Sequence, residues 1–204
     1  MANPASELKN LIVFTGPSGV GKGTVLKALL ARHPELHVSI SATTRSPRAG
    51  EVDQVHYYFL SRSQFETMVA QGEFLEWAEF AGNLYGTPRQ PLLDRMAKGE
   101  RVILEIELEG ARQVRTTAPD ALQIFMQPPS IEELEARIRK RGQETEEAIA
   151  RRLARAKVEM DSAHEFDVQI MNDDLHMTVE MLEDALFPTV LDSASHPALT
   201  QASR

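Results

Sequence analysis

The chain has 204 residues, of which 42% are hydrophobic and 25% charged, and this composition is typical of a globular protein with one α/β core. Its formal net charge of -8 argues against nonspecific nucleic-acid binding, and the absence of cysteine excludes disulfides, thiolate metal sites and a cysteine nucleophile. The first ten residues lack the apolar core of a signal peptide and no run approaches the ~18 apolar residues of a membrane span, so we expect a cytoplasmic protein without a membrane partner.

The first predicted element is a buried strand over Leu11–Thr15, which a glycine-rich turn joins to a helix running from about Gly23 to His33. This strand–turn–helix context is the one that a phosphate-binding loop requires. Glycines let backbone N–H groups turn inward, and the helix N-terminus adds partial positive charge on the same side. Lys22 is predicted to bring a full positive charge to the β and γ phosphates of a nucleoside triphosphate. The predicted loop residues are Gly16, Pro17, Ser18, Gly19, Val20, Gly21, Lys22, Gly23 and Thr24.

One position of this loop departs from the usual pattern. Gly23 stands where serine or threonine normally follows the lysine, and the hydroxyl comes one residue later, at Thr24. We therefore expect Thr24 to reach a bound Mg²⁺ through water. A glycine-rich turn with a solvated lysine is the structural alternative, which the flanking strand and helix disfavour.

Residues 38–88 are predicted to form a mainly β insertion between two α/β segments. Its predicted elements are a strand at Val38–Ser41, a polar basic loop at Thr43–Glu51, a strand at His56–Leu60, a helix from a capping box at Ser63–Glu66 to Gln71, a strand at Phe74–Phe80 and a turn at Gly82–Pro88.

The rest of the chain alternates strands with helices. The predicted elements are a helix to about Lys98, a strand at Arg101–Ile106, a helix at Gly110–Ala118, a strand at Ala121–Met126, a helix from a capping box at Ser130–Glu133 to Arg141, a helix at Thr145–Ala163, a strand at Val168–Met171 and a helix at Leu175–Leu186. Such alternation predicts a parallel sheet with helices on both faces and ligands beyond the carboxyl ends of its strands. The composition of residues 189–204 predicts a disordered tail.

The insertion carries residues suited to a second anion site. Arg45 and Arg48 are three residues apart, so their guanidinium groups can converge on one phosphate. Tyr57 and Tyr85 can add hydroxyl donors. The side chains predicted to bind a base edge are Ser41, Glu76 and Thr87. The Glu76 carboxylate can accept two donors side by side, which guanine presents and adenine does not.

Each of these residues also has a structural interpretation. The arginines are compatible with a solvated loop, the tyrosines with strand packing, and Glu76 with a surface position on an edge strand. Spacing alone does not decide between the two interpretations.

The Gly16–Thr24 loop, the segment Thr43–Glu51 and the segment Asn83–Thr87 together resemble guanylate kinase. The similarity covers residues 8–188 and continues in Pro128–Ser130, Arg141–Gly142, Glu146–Glu147 and Asn172–Asp174. It implies a P-loop three-layer fold with a central parallel sheet, a mainly β GMP-binding insertion and a helical lid. The implied boundaries are core at 1–37, GMP-binding lobe at 38–88, core at 89–129, lid at 130–155 and core at 156–188.

The resemblance also implies transfer of the ATP γ-phosphoryl group to GMP or dGMP with Mg²⁺, in purine nucleotide metabolism, with no nucleic acid or obligate protein partner. It matches Ser41, Arg45, Arg48, Tyr57, Glu76, Tyr85 and Thr87 to GMP contacts. Arg137, Arg141 and Arg152 match arginines near the transferred phosphoryl, although pairs such as Glu133–Arg137 are equally typical of exposed helices. Asn172 matches a residue near the adenine.

One motif departs from the guanylate kinase pattern. The family commonly has Leu-Asp-Ile-Asp after the core strand, whereas this chain has Leu104–Glu107, in which each carboxylate is one methylene longer. We expect Glu105 to contact the metal through water and Glu107 to contact GMP.

Three other functions share parts of this pattern. They are a monophosphate kinase for another base, a non-catalytic guanylate-kinase-like interaction module, and a P-loop hydrolase or GTPase. Glu76 and the arginine loop disfavour the first, the intact Lys22 disfavours the second, and the second anion site disfavours the third.

Overall fold

The computed structural model describes residues 8, 10–80, 82–140 and 145–188. Its strands are β1 (Leu11–Thr15), β2 (Leu36–Val38), β3 (Ala42–Thr43), β4 (Tyr58–Phe59), β5 (Phe74–Phe80), β6 (Asn83–Pro88), β7 (Arg101–Glu105), β8 (Leu122–Gln127) and β9 (Val168–Met171). Its helices are α1 (Lys22–Arg32), α2 (Arg62–Ala70), α3 (Arg89–Met96), α4 (Leu108–Thr117), α5 (Ile131–Lys140), α6 (Glu146–Asp161) and α7 (Leu175–Leu186), with a short 3-10 helix at Ala163–Glu165.

A five-stranded sheet in the order β2-β7-β1-β8-β9 forms the centre of the protein, and all its neighbouring strands are parallel. Strand β1 lies in the middle, with Val13 beside Leu104 on one side and beside Gln123 on the other. All five residues of β1 are buried, as expected for a parallel strand covered on both faces. The carboxyl ends of these strands meet at one edge, where the phosphate loop begins.

Helices cover both faces of this sheet, which confirms the predicted three-layer α/β fold. Successive side chains of a strand point to opposite faces, so Ile12 and Phe14 join one core while Leu11 and Val13 join the other. The first core includes residues of α1, α5, α6 and α7, and the second includes residues of α3 and α4.

A second, four-stranded sheet in the order β4-β3-β6-β5 is formed within residues 42–88. Strands β5 and β6 make an antiparallel hairpin, and helix α2 packs on the sheet through Phe65, whose ring stacks on Phe74 with centroids 4.3 Å apart. Ala42 and Leu84 complete this small core. The sheet therefore has its own apolar centre beside the central sheet.

Several predicted element boundaries were wrong. Residues 83–88, predicted as a turn, form strand β6, because the turn is made by Gly82 at φ 77 and the chain then pairs back along β5. The predicted strand at Val38–Ser41 ends at Val38, and the next strand begins at Ala42.

Two helix starts also differ from the prediction. The capping box of α2 is formed by Ser61 and Gln64 rather than from Ser63, because Gln64 is the residue that can bond back to the Ser61 backbone. Helix α4 begins at Leu108, before the predicted Gly110. At α5 the predicted start agrees, since Ser130 Oγ accepts a hydrogen bond from the Glu133 N–H.

Some predictions concern residues outside the described part of the chain. They are the disordered tail at 189–204 and the site residue Arg141. Among the helices that the structure describes, none combines the length and the apolar character needed to cross a membrane.

Candidate functional site

The phosphate loop joins the buried end of β1 to the first turn of α1. Gly16 has φ 147, and a Cβ there would overlap the Met126 carbonyl on the neighbouring strand β8. Gly21, the N-cap of α1, has φ 108, a left-handed conformation that L side chains rarely adopt. The Lys22 ammonium curls over the loop and donates to the carbonyl oxygens of Gly16 at 2.6 Å and Pro17 at 3.5 Å. The loop conformation is therefore set by glycine backbone geometry.

A cleft of about 650 Å³ separates this loop from the four-stranded sheet. From the loop it is lined by Ser18, Gly19, Gly21, Lys22, Gly23 and Thr24, and from the opposite wall by Ser41, Arg45, Arg48, Tyr57, Glu76 and Tyr85. Glu105, the last residue of β7, and Glu107, two residues further on, line it between the two walls. The structure thus brings most of the predicted site residues around one cavity.

Arg45 and Arg48 are held in place by Glu51, a residue that the sequence prediction did not include in the site. Arg45 Nη2 lies 2.9 Å from Glu51 Oε1, and the Arg48 backbone N–H donates to Glu51 Oε2 at 2.7 Å. The Arg45 guanidinium is the main cause that lowers the pKa of Glu51 to about 2, and Glu51 in turn raises the pKa of Arg45. The sequence did offer a signal for Glu51, since it is a carboxylate within six residues of both arginines.

Two tyrosines complete this positively charged wall. The Arg45 guanidinium carbon lies 5.4 Å from the centre of the Tyr57 ring, and the Tyr57 and Tyr85 rings meet edge to face at 6.3 Å. Burial raises the pKa of Tyr57, so its hydroxyl keeps its proton at neutral pH and remains a hydrogen-bond donor. Two guanidinium groups and two phenol hydroxyls are donors suited to a doubly charged phosphate.

Glu76 is the most buried of the side chains that line this wall and is only 5% exposed. Its Oε1 accepts a hydrogen bond from the Thr87 hydroxyl at 2.6 Å, so the structure places Thr87 behind Glu76 rather than on the cleft surface. Burial raises the pKa of Glu76 to about 7, although the hydrogen bonds from Thr87 oppose the rise. A buried carboxyl in a cleft is unfavourable unless a ligand supplies donors.

The carboxylates between the two walls differ in their surroundings. Glu105 is accessible from the cleft, yet the protein around it partly desolvates its carboxyl and raises its pKa, while the charge of Lys22 opposes that rise. Glu107 lies 3.4 Å from Arg155, whose guanidinium also bonds Glu159 at 2.8 Å and stacks over Phe80. Arg155 was not predicted, because on the sequence it is one of several arginines in a charged helix.

The predicted lid and adenine residues lie on the far side of the phosphate loop. Arg137 donates to the carbonyl oxygens of Val20 at 3.3 Å and Asn172 at 2.9 Å, and the Asn172 amide donates to the same Val20 oxygen at 2.7 Å. Arg137 and Asn172 also line a shallower pocket of about 350 Å³ together with Thr24. Arg152 reaches the loop from α6 and donates to the Ser18 hydroxyl at 3.1 Å.

The donor set near the loop fits a hard cation that is held mainly by phosphate and water. Thr24 and Glu105 both line the cleft, while the described residues contain no cluster of three or more His, Cys, Asp or Glu that would enclose a metal. Mg²⁺ commonly binds through one or two protein oxygens plus substrate phosphates and waters.

Comparisons of the sequence and of the structure with known proteins agree on one family. The sequence profile of the guanylate kinase family matches residues 8–189. The chain is 63% identical over 177 residues to a guanylate kinase of Synechococcus elongatus, covering 87% of this chain and 97% of that protein. It is 60% identical over 187 residues to one of Thermosynechococcus vestitus, covering 92% and 98%. A guanylate kinase crystal structure from Anaplasma phagocytophilum superposes with a TM-score of 0.70 at 32% identity, covering 86% of this chain and 83% of that one.

Proposed function

This chain belongs to the guanylate kinase family, and we propose that its cleft transfers the γ-phosphoryl group of ATP to GMP, giving ADP and GDP. It is an enzyme, an ATP:GMP phosphotransferase. The observation that carries this function is the pairing of two anion-binding walls in one cleft, the phosphate loop with Lys22 and the arginine wall with the buried Glu76. A nucleotide hydrolase would need only the first wall.

ATP binds on the phosphate loop in this proposal. The backbone N–H groups of the loop and the N-terminus of α1 surround the β phosphate, and Lys22 exchanges its loop carbonyl contacts for phosphate oxygens. The adenine extends toward the shallower pocket beside Asn172. Arg137 was predicted to act near the transferred phosphoryl, but it bonds to the Val20 and Asn172 carbonyls behind the loop, so we assign it to support of the adenine end.

GMP binds on the opposite wall. Arg45, Arg48, Tyr57 and Tyr85 receive its phosphate, and the guanine base extends toward Ser41 and Glu76. As a carboxylate, Glu76 accepts from the N1–H and N2–H₂ groups of guanine, and the Thr87 hydroxyl orients it. Glu107 lines the cleft between the two walls and is assigned to the GMP site. These assignments favour guanine over adenine, which presents an acceptor at N1.

The reaction then consists of positioning and charge neutralisation. An oxygen of the GMP phosphate attacks the γ phosphorus, a new P–O bond forms, and the bond from the γ phosphorus to the β–γ bridging oxygen breaks, leaving ADP. The attacking oxygen already carries negative charge, so no general base is required. We assign Lys22 and Arg152, which both contact the phosphate loop, to the charge that spreads over the transferred group. Arg141, outside the described residues, keeps its predicted role.

We assign Thr24 and Glu105 to Mg²⁺ through water molecules. Bound to the ATP phosphates, the ion supplies positive charge that stabilises the transition state. Burial raises the pKa of Glu105, and the charge of Lys22 opposes that rise and so favours the charged form that a cation requires.

The lobes follow from these contacts. Residues 38–88 carry the arginine wall and are assigned as the GMP-binding lobe, while 130–155 are assigned as the lid because Arg137 and Arg152 contact the phosphate loop. Residues 1–37, 89–129 and 156–188 are assigned as the core.

The direct experiment is ADP formation from ATP and Mg²⁺ with GMP, dGMP, AMP, dTMP and CMP in turn. We expect fast turnover with GMP and dGMP and at least about a hundredfold lower kcat/KM with AMP, because a site built around a hydrogen-bonding group rejects substrates that leave it unpaired. A higher kcat/KM with AMP, dTMP or CMP would instead support a monophosphate kinase for that base. No turnover with any of them, together with retained GMP binding, would support the interaction module.

A further inference from the structure

Helix α4 completes the free edge of strand β5. This strand is the outermost one of its sheet, and an edge strand presents backbone groups without a strand partner. At Trp77 the side-chain amide of Gln113 takes the place of a strand partner. The Trp77 N–H donates to Gln113 Oε1 at 3.2 Å, and Gln113 Nε2 donates to the Trp77 carbonyl at 2.7 Å. The amide thus makes the pair of bonds that a neighbouring strand residue would make.

The same face of α4 also abuts the Glu76 side chain, one residue before Trp77. Gly110 lies one helical turn before Gln113, and a Cβ at Gly110 would stand 2.5 Å from Glu76 Oε2. The other carboxyl oxygen is held by Thr87 at 2.6 Å. Glu76 therefore lies between Thr87 and α4, with its strand fixed to that helix by Gln113.

We propose that Gln113 is a positioning residue for recognition of the guanine base, because it fixes strand β5 against α4 and so holds the Glu76 carboxyl in the orientation that accepts two guanine donors. This inference rests on the proposed function of the cleft. Two parallel hydrogen bonds tolerate little displacement, since hydrogen bonds weaken steeply as their angle closes. The phosphate of GMP is bound by another segment, at Arg45 and Arg48, so it depends less on Gln113.

The test replaces Gln113 by leucine, which keeps the size of the side chain and removes both bonds. Gln90→Leu is the matched control, since Gln90 is exposed on α3 and its amide contacts Asp94 of the same helix. The assay compares kcat/KM for GMP and for IMP, which lacks the 2-amino group, and the KM for ATP. We expect Gln113→Leu to lower kcat/KM for GMP about tenfold, to lower that for IMP less, and to leave the KM for ATP within about twofold. Gln90→Leu should behave as the wild type.

A second variant reaches Glu76 without touching the Gln113 bonds. In Gly110→Ala the new methyl group displaces the end of a flexible side chain, and alanine is the more favourable residue in a helix, so the fold is retained. Like Gln113→Leu, it should lower the ratio of kcat/KM for GMP to kcat/KM for IMP. If Gln113→Leu fails to fold, Gln113→Glu takes its place, because a carboxylate can still accept from the Trp77 N–H but cannot donate to the Trp77 carbonyl. A wild-type ratio of kcat/KM for GMP to that for IMP in Gln113→Glu then overturns the proposal.

A separate measurement of GMP binding distinguishes a failure of the proposed function from a failure of the role of Gln113. Trp77 is the only tryptophan of the chain, so its fluorescence reports GMP binding beside the Gln113 contact. A wild-type protein that neither binds nor phosphorylates GMP would refute the proposed function itself. A wild type that binds GMP, with Gln113→Leu showing the same Kd and the same GMP-to-IMP ratio, would overturn the role of Gln113 alone.

Discussion

The two walls of the cleft, which we assign to the two negatively charged substrates, are built by different means. The phosphate loop uses backbone N–H groups, three glycines in left-handed or extended positive-φ conformations and one lysine, all within nine residues. The opposite wall uses side chains from separate segments, with Arg45 paired to Glu51 and Glu76 buried against Thr87 and α4. The loop is thus fixed by local sequence, and the arginine wall by how the β insertion folds and packs on the core.

This difference determines what substitution should do at each wall. A backbone site keeps its shape when a side chain is removed, so Lys22 contributes charge and little structure. A side-chain site loses both binding groups and mutual support, because its arginines and carboxylates neutralise one another. The following variants test that contrast, beginning with the largest expected effect.

Replacement of Lys22 by alanine should have the largest effect. The lysine contacts loop carbonyls and neutralises the β and γ phosphates, so kcat/KM should fall by about 10³-fold or more while the melting temperature stays near that of the wild type. Lys27→Ala, an exposed lysine of the same helix, is the control. Wild-type turnover in Lys22→Ala would remove the phosphate loop from the mechanism.

Glu76→Gln should stabilise the protein in a pH-dependent manner. The folded-state pKa of about 7 lies above the ordinary 4.5, so the contribution of Glu76 to stability is greatest below pH 4.5 and is lost as pH rises through 7. Glutamine carries no charge to desolvate. We expect the variant to gain about 3 kcal/mol in free energy of unfolding at pH 8 and under about 1 kcal/mol at pH 5, measured by urea denaturation.

The same variant should bind GMP less selectively, since an amide offers one donor and one acceptor to the guanine edge. Glu79→Gln, which neutralises an exposed carboxylate of the same strand, is the matched control. If Glu76→Gln raised the free energy of unfolding equally at pH 5 and pH 8, Glu76 would have an ordinary pKa in the folded protein.

Arg45→Ala should raise the KM for GMP by about thirtyfold, with less than a threefold effect on the KM for ATP, because a charge-assisted bond to phosphate is removed from one wall only. Arg62→Ala, an exposed arginine of the same lobe that pairs with Glu66, is the matched control. Equal effects on both substrates would place Arg45 in a structural role or at a shared site.

Arg137→Ala should have the smallest effect, a rise of about fivefold in the KM for ATP with the KM for GMP unchanged. Arg137 contacts the Val20 and Asn172 carbonyls behind the loop, so its loss loosens the adenine end and leaves the phosphate contacts in place. Arg139→Ala on the same helix, where the arginine pairs with Glu135 and Glu146, is the control. A larger change for GMP than for ATP would contradict this assignment.

The sequence predicted the elements whose signals are local. Buried apolar runs identified β1, β7 and β8, and the glycine–lysine spacing identified the phosphate loop, because such features depend on neighbouring residues only. Strand β6 was missed because Gly86 and Pro88 are typical of turns, whereas in the structure a Cβ at Gly86 would crowd the Glu76 carbonyl and Trp77 across the hairpin.

The supporting residues of the site were less predictable. Gln113 bonds to the backbone of a strand 36 residues away, and such a contact leaves no pattern in side-chain types. Arg155 pairs with Glu159 one turn along the same helix, whereas its other neighbours, Glu107 and Phe80, come from distant parts of the chain and become visible only in the folded protein. Most of the side chains that line the cleft were predictable from the sequence, and the contacts that position them were not.

The most direct measurement is isothermal titration with a dinucleotide in which adenosine and guanosine are joined at their 5′ positions by five phosphates. If the two walls hold ATP and GMP in one cleft, one molecule should bind per chain and exclude both substrates, and Lys22→Ala and Arg45→Ala should each weaken it. A protein saturated with this compound that still binds GMP or ATP with unchanged affinity would contradict the account.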